Sequence, residues 1–191
     1  LQAAPELAEM AVQETGFGNV SDKITKNEFA SKQGLSAIEG MTCVGVLKGG
    51  TKDKLWEIGV PVGVICGIVP STNPTSTVCY KALIALKAGN SIVFSPHPKA
   101  ICCTMKATQI VAKAAEAAGA PKGIVSCLSI PSLDGCRELM WAKETRLILA
   151  TGGPAMVRSA YSSGKPAIGV GAGNGPAYMH RSADVNHALH C

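Results

Sequence analysis

Residues 62–95 read VGVICGIVPSTNPTSTVCYKALIALKAGNSIVFS, with two apolar runs of strand length on either side of a helical pattern. The first run ends in a proline-rich turn, PSTNP, and residues 75–89 then carry apolar side chains at helical spacing. Gly89 closes this pattern, as glycine commonly closes helices, and the second run follows at once. Because a strand, a helix and a strand joined by short turns pack as a right-handed parallel crossover, this stretch predicts an α/β fold.

The same order of elements repeats to the end of the chain. Strands are predicted at 62–69, 90–95, 123–130, 146–151 and 166–171, and helices at 75–89, 98–118, 132–143 and 154–164. Aromatic residues make up only 4% of the chain, so Ala, Val, Ile and Leu must build the core, as they do around buried parallel strands. We therefore predict a doubly wound, mostly parallel, Rossmann-like sheet with helices on both faces over residues 62–191.

The first 61 residues follow a different pattern. Residues 1–40 predict two helices, at 3–15 and 21–39, the second capped by Ser21 or Asp22. Residues 41–61 contain two strand-like runs around the turn GGTKD, which predicts a β-hairpin arm.

The composition excludes several classes of function. With 47% apolar and 16% charged residues, the 191-residue chain has an ample core and is not disordered. The net charge of +5 is modest and the basic residues are scattered, so we expect no nucleic acid partner. The longest apolar run is interrupted by proline and glycine, so we expect no membrane partner either.

The eight cysteines predict neither disulfides nor a zinc site. They nowhere form C-x-x-C, and most lie inside apolar runs, where free thiols act as small hydrophobic side chains. His187 and His190 stand three residues apart on a predicted helix, but no third ligand accompanies them, so no metal is predicted. Free thiols indicate a reducing cytoplasm.

Ligands of such sheets bind beyond the carboxyl ends of the strands, where the most distinctive turns of this sequence lie. Asn73 follows the first strand, and its amide could stabilise a developing oxyanion or form an Asx turn before Pro74. Gly152 and Gly153 open a helix and could bind a phosphate or form an ordinary tight turn. Since no G-x-G-x-x-G follows the first strand, any nucleotide site must be of another kind.

Taken together, three segments resemble the CoA-acylating branch of the aldehyde dehydrogenase superfamily, including the aldehyde dehydrogenase half of bifunctional aldehyde–alcohol dehydrogenases. They are LAEMAVQETGFGNVSDKITKNEFAS, GVPVGVICGIVPSTNPTSTVCYKALIALKAGNSIVFSPHP and LATGGPAMVRSAYSSGKPAIGVGAGNGPAY. The resemblance covers nearly the whole chain in order and implies the aldehyde dehydrogenase fold, with the hairpin as an arm that contacts neighbouring subunits of a homo-oligomer.

The resemblance also implies a reaction and its site. A short-chain, acetaldehyde-like substrate would be oxidised by NAD through a cysteine thioester, and coenzyme A would take the acyl group in a reversible step. Asn73 would be the catalytic oxyanion donor. The cofactor-binding residues would be Pro70, Ser71 and Thr72 on the nicotinamide side, Ser95, His97 and Pro98 at the adenosine ribose, Gly123 on the adenine side, and Thr151, Gly152, Gly153 and Gly171 around the diphosphate.

Two departures from the family pattern shape this interpretation. Hydrolytic relatives carry a glutamate that activates water, whereas this chain has Val170 or Gly169 there, which favours transfer to coenzyme A over release of an acid. The motif of the nucleophilic cysteine, similar to ICASEQ, is absent, so we expect the catalytic domain to lie outside this chain and assign no nucleophile to Cys191.

The other thiols are expected to be buried and inert, at Cys66, Cys79, Cys102, Cys103 and Cys127. Three alternatives stay open: a non-catalytic module that binds a nucleotide or coenzyme A, a hydrolytic aldehyde dehydrogenase, and a more distant acyl phosphate reductase. The expected location is the cytoplasm or the interior of a bacterial microcompartment.

Overall fold

Five parallel strands form the central sheet of the protein, seen in a computed structural model that describes residues 1–50, 54–171, 173 and 175–189. The strands are β3 (Val64–Ile68), β4 (Ser91–Ser95), β5 (Val125–Cys127), β6 (Thr145–Thr151) and β7 (Ala167–Val170). Their order in the sheet is β5-β4-β3-β6-β7, and every neighbouring pair is parallel. The predicted doubly wound α/β sheet is confirmed.

Helices cover both faces of this sheet. They are α1 (Ala4–Thr15), α4 (Pro74–Lys87) and α5 (Ile101–Ala117) on one face, and α6 (Leu133–Trp141) and α7 (Pro154–Tyr161) on the other. Successive side chains of a strand point to opposite faces, so Ile65 packs with the first helices whereas Cys66 packs with the second. Gly67 lies where an added Cβ would be 2.8 Å from the Phe94 ring, so glycine leaves room for that ring in the core.

The segment predicted as one helix at 21–39 is three elements. These are α2 (Val20–Glu28), a π-helical turn (Phe29–Gln33) and α3 (Gly34–Glu39). The prediction that Ser21 or Asp22 caps it was wrong, because Asn19 Oδ1 accepts the Asp22 backbone N–H at 2.9 Å. Asparagine just before the first turn is a strong N-cap, and Asp22 occupies the third helical position.

The predicted hairpin arm is present as β1 (Gly45–Gly50) paired antiparallel with β2 (Leu55–Gly59). The predicted turn includes residues 51–53, which lie outside the described residues, as do His190 and Cys191. A large apolar surface of the arm is exposed, at Val46, Leu47, Leu55, Trp56 and Ile58. A surface of this kind is typical of a protein contact. A short helix, α8 (Val185–Ala188), is the last described element. None of the described helices combines the length and the hydrophobicity that a membrane span requires.

Helix α5 receives its cap from a distant part of the chain. Its cap position is held by Ala100, so the Glu14 carboxylate of α1 accepts the backbone N–H groups of Cys102 and Cys103, both at 2.8 Å. Burial raises the pKa of the Glu14 carboxyl, but hydrogen bonds from the backbone N–H groups of Cys103 and Cys102 outweigh this and hold that pKa below its ordinary value. The contact fixes α1 against the sheet domain. The Glu14 carboxylate also serves as the cap of α5.

We expect Glu14→Gln to lower the free energy of unfolding by about 1 kcal/mol at neutral pH, because α5 loses a charged cap. Since the folded-state pKa of Glu14 is lowered, the difference between parent and variant is present above the ordinary carboxyl pKa and disappears as the pH falls through the folded-state value. Urea unfolding at a series of pH values measures this.

Glu9→Gln changes an exposed carboxylate on the same helix and serves as the control, with an expected change below about 0.5 kcal/mol. A loss in Glu14→Gln that stayed constant down to strongly acidic pH would show that charge at this cap has no role.

Candidate functional site

The order of strands reverses between β3 and β6, and a cleft opens there beyond the carboxyl ends of the strands. From β3 the chain crosses one face through α4 to β4, whereas from β6 it crosses the other face through α7 to β7. The turns therefore diverge, as at the ligand site of other doubly wound sheets. The cleft has a volume of about 830 Å³, which is within the range of ligand pockets.

The cleft brings together all but one of the residues predicted for the site. Those that line it are Pro70, Ser71, Thr72, Asn73, Ser95, His97, Pro98, Thr151, Gly152, Gly153 and Gly171. They come from four separate turns, after β3, β4, β6 and β7. Parallel strands place their carboxyl ends at one edge of the sheet, which explains the convergence.

Gly123 is the exception. It precedes β5 and so lies at the amino end of the sheet, away from the cleft. Its backbone has a φ of +80°, which favours glycine, and its N–H donates to Glu116 Oε1 at 3.1 Å. The structure therefore gives Gly123 a role in the turn after α5 and does not bring it to the predicted cofactor site.

Two of the four crossover helices start at the cleft without a side-chain cap. Helix α4 starts after Asn73 and α7 after Gly153, and neither residue accepts a capping hydrogen bond. The other two starts are filled, α5 by Glu14 and α6 by Ser132 Oγ, which accepts the Gly135 N–H at 2.9 Å. The positive ends of the α4 and α7 dipoles thus lie beside the cleft, and Ala155 in the uncapped first turn of α7 lines it.

Packing against the rest of the protein does not require a glycine at position 153. Its φ is −67°, and a Cβ built on it would meet no described protein atom within 4 Å. At Gly152 the nearest atoms to such a Cβ, in Met156, are 3.9 Å away. Because the space beside this pair is open, the glycines suit the close approach of a ligand to the backbone at the start of α7.

Asn73 lies half-buried at the cleft with both ends of its amide in defined contacts. Its Oδ1 accepts a hydrogen bond from Lys26 Nζ at 3.1 Å, and its Nδ2 is 3.4 Å from Thr72 Oγ1. The side chain accepts no backbone hydrogen bond at the start of α4, so the Asx turn is not formed. The amide nitrogen carries two N–H groups, and one of them donates to Thr72 Oγ1, so the second is available as a donor towards a ligand.

The turn after β4 is held by local hydrogen bonds. Ser95 is buried and its carbonyl accepts the Val69 N–H at 3.0 Å, which joins this turn to the end of β3. His97 Nδ1 accepts the Lys99 N–H at 3.1 Å, and the His97 carbonyl accepts the Ala100 N–H at 2.8 Å. These bonds explain why α5 starts at Ile101 and not at the predicted residue 98. They leave Nε2 as the imidazole atom available for further contacts.

The thiols closest to the sheet are poor nucleophiles. Burial raises the pKa of Cys66 and of Cys103 to about 12 and that of Cys127 to about 11, and it also raises the pKa of Cys79. The predicted burial is confirmed for Cys66 and Cys103, whereas Cys79 and Cys127 are half-buried. It was wrong for Cys102, which is exposed in the first turn of α5. No group of three metal-ligating side chains occurs within the described ranges.

Lys81 is a residue of the site that the sequence interpretation missed. It lies on the buried face of α4, and its ammonium donates to the Ile68 carbonyl at 2.7 Å, the Leu149 carbonyl at 2.6 Å and Thr151 Oγ1 at 3.0 Å. The Thr151 hydroxyl in turn donates to the Ile68 carbonyl at 3.1 Å. This network ties the carboxyl ends of β3 and β6 together beneath the cleft.

Burial lowers the pKa of Lys81 to about 7, with a small opposing effect from Cys66. Three acceptors surround Nζ, and a neutral amine has only two N–H groups, so loss of the proton leaves one of these acceptors without a donor. A lysine on the same helical face as the buried Val78, Ala82 and Ala85 was the signal in the sequence that could have identified this network.

We expect Lys81→Met to lower the free energy of unfolding by about 2–3 kcal/mol, because it leaves buried acceptors unpaired at the edge of the sheet. The folded-state pKa of about 7 lies below the unfolded value, so the unfolded chain binds more protons between the two values. The stability of the parent should therefore rise with pH above about 7, relative to that of the variant.

Denaturant titrations at neutral and alkaline pH measure both effects. Lys87→Met removes a lysine of the same helix that makes one exposed bond, to the Glu39 carbonyl at 2.8 Å, and should cost less than about 0.5 kcal/mol. Equal losses in the two variants would contradict the assigned role of Lys81.

Comparison with known proteins gives a consistent result. A model of the aldehyde dehydrogenase family matches residues 3–191. The bifunctional aldehyde-alcohol dehydrogenase AdhE of Escherichia coli (strain K12) is 51% identical over 183 residues, which are 96% of this chain and 20% of that protein. The chain thus spans about a fifth of the length of this relative.

Solved structures share the fold at similar levels of identity. An acetylating aldehyde dehydrogenase from Geobacillus thermoglucosidasius superposes with a TM-score of 0.90 at 54% identity, over 99% of this chain and 42% of that one. A Rhodopseudomonas palustris propionaldehyde dehydrogenase with bound propionyl-CoA gives a TM-score of 0.76 at 34% identity, over 91% of this chain and 38% of that one. These matches confirm the predicted resemblance, and the chain belongs to the aldehyde dehydrogenase family.

Proposed function

We propose that this chain is the cofactor-binding part of an enzyme that oxidises a short-chain aldehyde to an acyl-CoA with NAD, through a cysteine thioester. The observation that carries the proposal is the cleft at the carboxyl edge of the sheet. There, two uncapped helix starts and the Asn73 amide face one space of about 830 Å³. Uncapped N–H groups suit a diphosphate, and an amide N–H group suits an oxyanion.

The residues around the cleft fit a dinucleotide. Gly152 and Gly153 leave open space at the start of α7, where N–H groups and the helix dipole would bind the diphosphate. Pro70 to Thr72 would flank the nicotinamide, and Ser95, His97 and Pro98 the ribose of the adenosine. The bound cofactor would supply the acceptor for the hydride of the aldehyde.

Asn73 would act on the other reactant. An oxyanion develops on the aldehyde oxygen when a thiolate adds to the carbonyl, and it re-forms when coenzyme A attacks the thioester. A fixed N–H donor at that oxygen stabilises both transition states without reorganising. The position of Asn73 at the start of α4 adds the positive end of that helix dipole.

The wall of the cleft at β7 supports coenzyme A as the acyl acceptor. Val170 lines the cleft, whereas Gly169 does not, and a Cβ at Gly169 would lie only 2.6 Å from Val157 in α7. Val170 is therefore the residue of this pair that faces the reactants, and it has no group that could take a proton from water. A thioester next to it would persist until a thiol arrives.

The names of the relatives support the same reaction class. One structural relative is an acetylating enzyme, and another was solved with bound propionyl-CoA. The exposed apolar hairpin supports assembly into a homo-oligomer, in which a neighbouring subunit would cover the arm. We also propose the cytoplasm, or a bacterial microcompartment within it, as the place where the enzyme works.

The test is an assay of the complete gene product with acetaldehyde and NAD⁺, in the presence and absence of coenzyme A. We expect NADH and acetyl-CoA to form together, with little NADH when coenzyme A is omitted, because Val170 offers no base that could activate water at the thioester. NADH absorbance and chromatography of the products measure the two rates.

Each alternative gives a different result in this assay. Release of acetate at the same rate without coenzyme A would indicate a hydrolytic enzyme. Binding of NAD⁺ by calorimetry with no turnover under any condition would indicate a non-catalytic module. Either outcome would overturn the proposal.

A further inference from the structure

Three side chains on one face of helix α2 form hydrogen bonds with the turn around Asn73. Lys23 Nζ donates to the Thr72 carbonyl at 2.8 Å, Lys26 Nζ donates to Asn73 Oδ1 at 3.1 Å, and Asn27 Oδ1 accepts the Thr75 hydroxyl at 2.8 Å. Positions i, i+3 and i+4 of a helix share one face, so a single face of α2 contacts the segment before, at and after Asn73.

Two of these three contacts are rigid because their side chains are buried. Lys23 is 6% exposed and Asn27 is 2% exposed. Burial lowers the pKa of Lys23, and the nearby Lys26 lowers it further, so this side chain would not lie here without its carbonyl acceptor. Asn27 also donates to the Ala4 carbonyl at 3.2 Å, which joins the contact to α1. The buried contacts of Lys23 and Asn27 therefore hold α2 in place on either side of Lys26.

The third contact determines which way the Asn73 amide faces. An ammonium group can only donate hydrogen bonds, so the amide atom opposite Lys26 must be the oxygen and not the nitrogen. With Oδ1 held by Lys26, Nδ2 donates one N–H group to Thr72 Oγ1 at 3.4 Å. Thr72 and Asn73 both line the cleft, so the second N–H group is the one left for a ligand there. Rotation of the amide by half a turn would place its N–H groups against an ammonium and remove them from the cleft.

Lys26 also affects the strength of the Asn73 donor. A charged donor on the carbonyl oxygen polarises the amide, which makes its N–H group a stronger donor to a developing oxyanion. Within the described residues the ion pairs are Lys106–Glu6 and Lys143–Glu144, so no described carboxylate oxygen lies within 4 Å of Lys26 Nζ. Its positive potential therefore acts on the region around Asn73.

We propose that Lys26 is a positioning residue that fixes and polarises the Asn73 amide, and that the Lys23 and Asn27 contacts of α2 hold the turn on which this depends. The inference rests on the proposed function, in which Asn73 is the oxyanion donor. It assigns helix α2, which precedes the sheet, a role in the reaction through Asn73, beyond packing against the sheet domain.

The test compares Lys26→Met, Lys26→Arg and Asn73→Ala in the complete gene product, with acetaldehyde, NAD⁺ and coenzyme A. We expect Lys26→Met to lower kcat about tenfold while KM for the aldehyde stays within about twofold, because the donor acts on the transition state. Lys26→Arg keeps a charged donor and should retain kcat within about threefold. Combined with Asn73→Ala, Lys26→Met should change kcat by less than about twofold.

Lys32→Met is the matched control. Lys32 is an exposed lysine in the next turn of the same helical region, it has no side-chain hydrogen bond within the described parts of the chain, and its replacement should leave kcat unchanged. Independent, additive effects of Lys26→Met and Asn73→Ala would overturn the proposal, as would a loss in Lys26→Met that Arg does not restore.

A second measurement does not depend on activity. In a crystal structure of Lys26→Met we expect the Asn73 side chain to occupy more than one orientation, or to turn its oxygen towards the cleft. An unchanged Asn73 orientation would overturn the positioning role even if the enzyme is active. If Asn73→Ala alone leaves turnover unchanged while Asn73 does reorient in Lys26→Met, the failure lies in the proposed role of Asn73 and not in the contact.

Discussion

The parallel pairing of β3 with β6 is the constraint on which the site depends. These strands are far apart in the chain, and their crossovers leave on opposite faces of the sheet. A cleft must open where the two paths diverge, and the polar ends of both strands must be satisfied beneath it. Lys81 meets this requirement by binding the carbonyls of Ile68 and Leu149. The same hydrogen bonds that complete the sheet edge therefore form the floor of the candidate site.

The four crossover helices differ in whether a side chain caps their first turn. A side chain caps two of them, Glu14 at α5 and Ser132 at α6. At α4 and α7, which start beside the cleft, no side chain caps the helix. An uncapped helix start is a cost to stability that a bound anion can offset. The two uncapped starts beside the cleft are thus compatible with an anionic ligand, and this argument does not rely on the resemblance to relatives.

Much of the fold was predictable because it follows from local periodicity. Apolar runs of strand length and helical patterns closed by glycine gave the order of elements, and the parallel crossover rule gave the position of the site turns. Asn73, Gly152 and Gly153 were identified for this reason. The helical pattern at 21–39 could not reveal the π-helical turn, since periodicity over a whole segment does not resolve a single turn with i→i+5 hydrogen bonds.

The contacts that hold the site could not be predicted, because they join distant parts of the chain. Lys26 and Asn73 are 47 positions apart, and Lys81 and Leu149 are 68 positions apart. No spacing rule links such pairs, and a lysine in a helix is usually solvated. Gly123 was assigned to the site from the family pattern, but its position before β5 places it at the opposite end of the sheet.

The central claim is that a dinucleotide binds with its diphosphate at the start of α7, and calorimetry of NAD⁺ binding to Gly153→Ala tests it most directly. A Cβ there would meet no described protein atom within 4 Å, so the variant should fold normally and bind NAD⁺ about tenfold more weakly or worse, because the methyl group occupies the space of the ligand. Gly40→Ala, which also meets no atom within 4 Å and lies away from the cleft, should bind like the parent. Equal affinity of parent and Gly153→Ala would contradict the account.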